Sequence, residues 1–434
     1  MNQPINIFWF RRDLRLHDNV GFYEALQSKN KVLPVFIFDS EILEYLPQDD
    51  ARVTFIYETL QHMRQLLQDA YGSGIAFYHG YPITVFKQLL EDYRIETVYT
   101  NHDYEPYAVK RDSEINDLLN SYNVSFKTYK DQVIFEKDEI IKGNGTPYMV
   151  YTPYMKQWKA LFKTHPLRIY DTKPHFHNLI QQTNLPHVNL SELGFKLASQ
   201  KITDYIVTPS LIQNYEATRN FPAKDSTSHL GPHLRFGTVS IRDMVQKAVT
   251  EKNEVFWQEL IWREFFMQIL WHFPHTVTQS FKPQYDRILW RNNEIEFKLW
   301  CEGKTGYPLV DAGMRQLNQT GFLHNRVRML VGSFLCKHLL IDWRWGEAYF
   351  AEKLHDYEMA SNVGNWQWVA GCGVDAAPYF RIFNPTTQIE KFDKHLEYIK
   401  TWVPEFQELS YPTPIVDHAF ARERCLKTYK SALQ

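Results

Sequence analysis

Residues 5–10 read INIFWF, a short run of apolar residues that is typical of a buried β-strand. Helical patterns separate it from three further strand-like runs, which predicts a parallel sheet covered by helices. We place this α/β domain at residues 1–130. The three further runs are VLPVFIF at 32–38, GIAFYHG at 74–80 and ETVYTN at 96–101, and the helical patterns are clearest at 51–70 and 83–93.

The sequence pattern changes twice along the rest of the chain. Five prolines and polar stretches mark residues 131–205, which we interpret as a long linker between domains. After residue 205 the strand signals fade and long helical patterns follow, for example at 256–273 and at 325–341. Residues 206–434 are therefore predicted to form an all-α domain.

Composition sets limits on function. A chain of 434 residues with 44% hydrophobic content can bury two cores, and its 48 basic residues nearly balance 50 acidic ones, so any nucleic-acid surface must be a local basic patch. The four cysteines have neither CxxC nor metal-ligand spacing, which favours buried thiols in a reducing compartment and no metal site. No run is long enough to span a membrane, so we expect a cytoplasmic protein.

Tryptophan is concentrated in the second half of the chain. Ten of the 12 tryptophans lie between residues 257 and 402, and two of them, Trp366 and Trp368, stand two apart in SNVGNWQWVAG at 361–371. On a helix that spacing turns the two indoles to opposite sides. One ring could fill the core while the other covers a surface, or each could serve a separate part of a site.

Two predicted helices carry polar side chains at i, i+3 and i+4, where an apolar stripe is expected. They are Glu259, Trp262 and Arg263 in ELIWREFF, and Asn325, Arg328 and Met329 in LHNRVRM. Each set could be an ordinary solvated face, but together they indicate a lined cavity. Acid–base machinery is sparse and aromatic content is high, which favours electron chemistry on a bound aromatic cofactor.

The turn DSTSHLGPHLRFG at 225–237 comes just before a helical stretch. Its hydroxyl groups and backbone amides could hold a phosphate or pyrophosphate at the start of that helix. An ordinary helix N-cap would have the same residues, so both interpretations stay open.

The sequence resembles the photolyase/cryptochrome family. The resemblance is carried by SNVGNWQWVAGCGVDAAPYFRIFNPTTQIEKFD at 361–393 and by FWFRRDLRLHDN at 8–19, and further motifs between them extend it over essentially the whole chain. It implies an α/β N-terminal domain with a Rossmann-like parallel sheet, joined by a long linker to an all-α FAD-binding domain. The further motifs are TSHLGPHLRFG, ELIWREFF, KTGYPLVDAGMRQL, TGFLHNRVRM and LIDWRWGEAYF.

The resemblance implies one FAD, active in its reduced form FADH⁻, deep in the helical domain. Asn362 would face the flavin N5, and Glu358 stands where the family usually has Asp. The residues implied at the phosphates and flanks of FAD are Tyr215, Thr227, Ser228, His229, Leu230 and Gly231, and those implied near the flavin are Arg263, Arg328, Asp356, Glu358 and Asn362.

The resemblance also implies light-driven repair of UV-damaged DNA, in which an electron from photoexcited FADH⁻ opens a flipped-out cyclobutane pyrimidine dimer. Glu259, Asn325, Met329 and Asn362 are the implied catalytic residues, and Trp366, Trp343 and Trp290 the implied chain that reduces the flavin. Trp262 and Trp368 would stack on the dimer. The candidate DNA phosphate contacts are Arg219, Arg326, Arg381 and Lys391.

Within the family, these motifs favour a class I cyclobutane dimer photolyase acting as a monomer. The alternatives are a cryptochrome-type blue-light sensor without repair activity and a (6-4) photolyase. Tyr107 and Ala108 replace the Asn-Glu pair of folate-binding relatives, which argues against a folate antenna. A deazaflavin, a second flavin or an empty antenna site stay open.

Overall fold

The computed structural model describes residues 3–434, so Met1 and Asn2 of the predicted 1–130 domain lie outside the described residues. The chain forms two compact units. The first comprises Met1–Glu136, Phe162–Tyr205 and Leu230–Thr250, and the second comprises Lys137–Leu161, Ile206–His229 and Glu251–Gln434.

The first unit is built on a five-stranded parallel sheet with the strand order β3-β2-β1-β4-β5. This confirms the predicted α/β fold. The strands are β1 (Ile5–Phe10), β2 (Val32–Asp39), β3 (Ala76–Gly80), β4 (Ile95–Asn101) and β5 (Ser125–Tyr129). The helices of this unit are α1 (Val20–Leu26), α2 (Ser40–Leu43), α3 (Ala51–Tyr71), α4 (Pro82–Asp92), α5 (Pro106–Ser121), α8 (Gly231–Phe236) and α9 (Ile241–Val249).

Both faces of the sheet are buried, which explains why its strands are apolar throughout rather than alternating with polar residues. On β1, Phe8 and Phe10 enter one hydrophobic cluster, whereas Ile7 and Trp9 enter a second one. Successive side chains of a strand point to opposite faces, so one apolar run fills two cores.

Three features differ from the sequence prediction. The strand β5 was not predicted, because its side chains are mostly exposed or half-buried and lack the apolar pattern of the other strands. The predicted linker 131–205 is not a plain connection, since it contains the helix α6 (Tyr151–Thr164). Residues 230–250, predicted for the all-α domain, group with the first unit.

The second unit is helical, as predicted. The predicted helix 256–273 appears as α10, but the predicted helix 325–341 ends early and continues as a π-helical turn over Phe334–His338. The helices are α7 (Pro209–Thr218), α10 (Val255–His272), α11 (Glu294–Cys301), α12 (Pro308–Thr320), α13 (Asn325–Ser333), α14 (Trp343–Lys353), α15 (Met359–Ala370), α16 (Pro385–Phe392), α17 (Glu397–Trp402) and α18 (His418–Leu433).

Helix α15 contains both tryptophans of the GNWQW stretch, so the helical geometry predicted for them is confirmed. Trp366 is buried at 3% exposure, whereas Trp368 is half-buried at the edge of the same hydrophobic core. The helix ends at Gly371, whose φ of 92° is in the left-handed region that favours glycine.

No helix within residues 3–434 is long and apolar enough to cross a membrane. The same residues contain no group of three or more His, Cys, Asp or Glu side chains that could hold a metal ion. All four cysteines are free, and burial is complete for three of them and partial for Cys301.

Candidate active site

A cavity with about 570 Å³ of empty space, which includes space open to solvent, lies among α13, α14 and α15 in the second unit. It brings together seven residues that the sequence singled out from separate motifs. These are Asn325, Arg328, Met329, Asp356, Glu358, Asn362 and Trp366.

An ion pair forms one wall of this cavity. Arg328 Nη2 donates to Asp356 Oδ2 at 2.9 Å, and Arg328 Nε donates to the carbonyl of Leu323 at 2.6 Å. The other carboxylate oxygen, Asp356 Oδ1, is buried and has no hydrogen-bond partner among the described residues. A buried acceptor without a donor is costly, so this atom is suited to a ligand that brings an N–H or O–H group.

Glu358 closes the wall beside this pair. Its Oε1 accepts from Arg263 Nη2 at 2.9 Å, and its Oε2 accepts from the hydroxyl of Ser361 at 3.3 Å. Its backbone carbonyl accepts from the Asn362 N–H in the first turn of α15. The residue that departs from the family pattern is thus held firmly at the cavity wall by Arg263.

Asn362 reaches across to α14. Its Nδ2 donates to Glu347 Oε1 at 2.9 Å and to the Glu347 carbonyl at 3.1 Å, which leaves the amide oxygen of Asn362 available to a ligand. Burial raises the pKa of Glu347, and hydrogen bonds from Asn362 and Tyr357 oppose that rise. Glu347 was missed in the sequence, although its motif LIDWRWGEAYF was noted, because its partner lies on another helix.

Trp366 is seated against the backbone of α14. A Cβ atom on Gly346 would lie 2.1 Å from the Trp366 ring, so this glycine makes room for the indole. Phe350 and Trp300 pack against the ring with centroids 4.9 and 6.2 Å away. The indole Nε1 is buried without a hydrogen-bond partner in the described chain.

The other two tryptophans of the predicted electron chain lie elsewhere in the helical unit. Trp343 is buried at the start of α14 with its Nε1 unpartnered among residues 3–434. Trp290 is half-buried and meets the edge of Tyr429 at 6.0 Å. The structure describes no ring contact from Trp343 to Trp366 or Trp290, so this chain stays a prediction.

Glu259 and Trp262 lie outside the lining of the cavity. Glu259 forms an ion pair with Arg219, and the Arg219 guanidinium lies 5.3 Å from the centre of the Tyr215 ring. Trp262 stacks on Tyr151 with ring centres 3.6 Å apart and planes 10° from parallel. One face of this indole is therefore covered by a tyrosine that the sequence analysis did not single out.

The four predicted DNA contacts differ in their surroundings. Arg326 donates to Asn220 Oδ1 at 2.6 Å and lies over the Phe392 ring, and burial together with the nearby Arg219 lowers its pKa. Arg381 and Lys391 are exposed. Beside Arg326, burial and nearby arginines lower the pKa of His324 to about 4, so this imidazole is neutral at pH 7.

The residues predicted at the cofactor phosphates are not part of the cavity lining. Tyr215 lies on α7, where burial and Glu259 raise its pKa to about 12. His229 has a φ of 51°, and its Nε2 lies 2.8 Å from Asp225 Oδ1. The six predicted residues divide between the units, with Tyr215, Thr227, Ser228 and His229 in the second and Leu230 and Gly231 in the first.

A second cleft, with an empty volume of about 860 Å³, lies within the first unit at the carboxyl ends of β1, β2 and β4. This is the edge of a parallel sheet where ligands commonly bind. Four arginines and three carboxylates share its lining with apolar side chains, among them Trp9, Phe38 and Ala108. The charged residues are Arg11, Arg12, Arg111, Arg235, Asp39, Asp103 and Glu105.

Two family models match the chain. One is described as DNA photolyase and covers residues 6–173, and the other is described as the FAD binding domain of DNA photolyase and covers residues 256–410. The chain is 36% identical to the deoxyribodipyrimidine photo-lyase of Synechococcus sp., over 99% of this chain and 97% of that protein. The chain belongs to the photolyase/cryptochrome family.

Other relatives agree with this assignment. A deoxyribodipyrimidine photo-lyase of Halobacterium salinarum is 35% identical over 99% of both chains. A class III photolyase structure from Agrobacterium tumefaciens matches with a TM-score of 0.88 and 33% identity over 100% of this chain and 98% of that one. An archaeal photolyase from Sulfolobus tokodaii, described with two FAD molecules, has a TM-score of 0.83 and 33% identity over 98% and 99% of the chains.

The helical unit thus carries the FAD-binding domain of this family, and its cavity fits a flavin on physical grounds. The unpartnered Asp356 Oδ1 can accept from a ring N–H, and the amide oxygen of Asn362 is available as a second acceptor. Arg328 keeps a positive charge at the wall, which favours an anionic reduced ring.

Gly346→Ala tests whether the glycine seats Trp366. The new methyl group would collide with the indole, and overpacking of this kind costs about 1–3 kcal/mol, so we expect a lower free energy of unfolding in denaturant titration. Gly143→Ala, where the added Cβ meets nothing within 4 Å, is the matched control and should leave stability unchanged. Equal stability of the two variants would contradict the assigned packing.

Proposed function

We propose that this protein is a deoxyribodipyrimidine photo-lyase that uses light and FAD to split cyclobutane pyrimidine dimers in DNA. The observation that carries the proposal is the single cavity that gathers Asn325 and Met329 with the Arg328–Asp356 pair and Asn362. Relatives named for this activity match over the full chain at about 35% identity, which supports it.

The residues of this chain would hold FAD as follows. Arg328, Asp356, Glu358 and Asn362 would bind the flavin, with Arg263 fixing Glu358. When bound and reduced, FAD supplies the electron that opens the dimer after it absorbs blue light. The proposed contacts to the rest of the cofactor are Tyr215, Thr227, Ser228, His229, Leu230 and Gly231.

Damaged DNA would be bound by the aromatic and charged groups near α10. Tyr151 covers one face of Trp262, so a pyrimidine that stacks on this indole would have to use the opposite face, and Trp368 would supply a second indole. Glu259 would accept a hydrogen bond from the substrate or orient the substrate through its preorganised negative charge. The ion pair with Arg219 would fix the position of this carboxylate.

Phosphate binding requires positive charge to be local, because the chain as a whole carries a formal charge of −2. Arg219, Arg326, Arg381 and Lys391 are the proposed contacts to the DNA backbone. Arg219 lies close enough to Arg326 to lower its pKa, and two neighbouring cations of this kind attract phosphate.

The class I assignment is also a proposal and rests on the motifs around Glu259, Asn325 and Met329. The class III enzyme of Agrobacterium tumefaciens, whose structure is similar, makes class III the competing subtype. A monomeric, cytoplasmic enzyme stays a prediction from the sequence.

Repair assays test the activity directly. Under blue light the reduced holoprotein should restore an oligonucleotide that contains a cyclobutane thymine dimer, and it should leave a (6-4) photoproduct unchanged. Glu259→Gln should slow repair of the cyclobutane dimer by about 10–100-fold, since one charged hydrogen bond is lost. An intact cyclobutane dimer after illumination would favour the light-sensor alternative, and repair of the (6-4) product would favour the other enzyme class.

Trp366→Phe tests the predicted electron chain. Phenylalanine is much harder to oxidise than tryptophan, so photoreduction of the oxidised holoprotein should slow sharply, whereas repair by protein reduced beforehand with dithionite should persist. Trp257→Phe, a buried substitution on α10, is the control and should change neither rate. Unchanged photoreduction in Trp366→Phe would remove Trp366 from the chain.

We also propose that the cleft of the first unit binds a second, light-harvesting chromophore. The guanidinium groups of Arg11 and Arg111 lie 4.9 and 5.0 Å from the centre of the Trp9 ring, and the apolar wall suits a flat conjugated ring. The Sulfolobus tokodaii photolyase with two FAD molecules supports a flavin as the occupant.

Ala108→Trp would fill this cleft, because Ala108 is buried in its lining. After incubation with FAD, FMN or a deazaflavin, the unaltered protein should retain more chromophore than one flavin per chain, and Ala108→Trp should lose this excess. Val109→Trp, at an exposed position on the same helix, should keep it. Equal chromophore content in both variants, or no excess in the unaltered protein, would contradict the proposal.

A further inference from the structure

Lys337 is a buried cation without a carboxylate partner. It lies in the π-helical turn after α13 at 1% exposure, and the described residues provide it with no ion pair. Its Nζ donates to the backbone carbonyl of Arg381 at 2.7 Å. Burial lowers the pKa of Lys337 to about 8, so the ammonium form still predominates at pH 7.

A buried ammonium is costly, and a neutral side chain of similar length would fill this space at lower cost. Besides Arg381, the groups that interact with Lys337 include three buried thiols, Cys336, Cys372 and Cys425. None of them is ionised near neutral pH, since burial raises the pKa of each. The hydrogen bond to the Arg381 carbonyl is therefore the interaction that can stabilise the buried ammonium group of Lys337.

The acceptor belongs to a loop between α15 and α16 that exposes large side chains. Phe380 is 61% exposed, and the neighbouring Arg381 is also exposed. The part of the loop before Arg381 is nevertheless fixed, because Asp375 accepts from the Tyr151 N–H at 3.1 Å and Tyr379 stacks on Tyr429 with ring centres 5.7 Å apart.

Both backbone polar groups of Arg381 are held. Its N–H donates to the carbonyl of Pro378 at 2.9 Å, and its carbonyl accepts from Lys337. The peptide units on either side of this residue are thus fixed, while the residue itself is exposed to solvent. Fixing a binding residue before its ligand arrives lowers the entropy cost of association.

We propose that Lys337 is a positioning residue whose buried ammonium holds the 375–384 loop so that Arg381 is preset to bind a phosphate of the damaged DNA. This inference rests on the proposed function for its ligand. The positioning itself depends only on the contacts within the helical unit.

Lys337→Met removes the donor and keeps the volume. Trypsin should then cut the holoprotein after Arg381 about tenfold faster, because the loop loses a charged hydrogen bond. The dissociation constant for dimer-containing DNA should rise about tenfold, for the same reason, while the repair rate at saturating DNA stays unchanged. The thermal midpoint should not fall, since apolar replacement of a buried charge is often neutral or stabilising.

Two further variants complete the test. Lys337→Arg keeps a cationic donor and should restore slow cleavage and DNA affinity at least in part. Lys298→Met, at an exposed position on α11, should match the unaltered protein in every measurement.

Unchanged cleavage after Arg381 and unchanged DNA affinity in Lys337→Met would overturn the proposal. Equally fast cleavage and equally weak DNA binding in Lys337→Met and Lys337→Arg would also overturn it. If the unaltered protein bound no damaged DNA, the proposed function would fail and with it the assigned ligand of Arg381. The trypsin result would still decide whether Lys337 holds the loop.

Discussion

The candidate site depends on the close packing of helix α15 against α10 and α14. A Cβ atom on Gly364 would lie 2.2 Å from Phe266, and one on Gly346 would lie 2.1 Å from Trp366, so two glycines permit the helices to approach. This approach brings Asn362 within hydrogen-bond distance of Glu347 and places Trp366 at the cavity wall. A larger residue at either glycine would separate the groups that the cavity joins.

Two charged groups of the helical unit have a role beyond their contacts within the protein. The Arg328–Asp356 pair satisfies only one oxygen of its carboxylate, which leaves the other for a ligand. Lys337 binds a single carbonyl and thereby orders a loop that displays Arg381. Asp356 thus keeps one oxygen for a ligand, and Lys337 acts on a residue at the surface. A near-neutral chain can therefore still bind an anionic cofactor and a polyanionic substrate.

Much of the fold could be predicted from the sequence, because β1 to β4 are buried on both faces and so consist of apolar runs. The edge strand β5 is mostly exposed or half-buried and gave no such signal. The π-helical turn at Phe334–His338 is only five residues long, which is too short to show a periodic pattern in the sequence. Spacing within one helix grouped Asn325, Arg328 and Met329 correctly, whereas Glu347 and Tyr151 act through partners on other elements, which a single sequence does not reveal.

The cavity among α13, α14 and α15 is the proposed flavin site of this photolyase, and a crystal structure of the holoprotein would test that assignment. We expect electron density for the flavin ring in this cavity, with a ring N–H donating to Asp356 Oδ1 and Asn362 in contact with the ring. Flavin density elsewhere, with Asp356 Oδ1 still unpartnered, would contradict it.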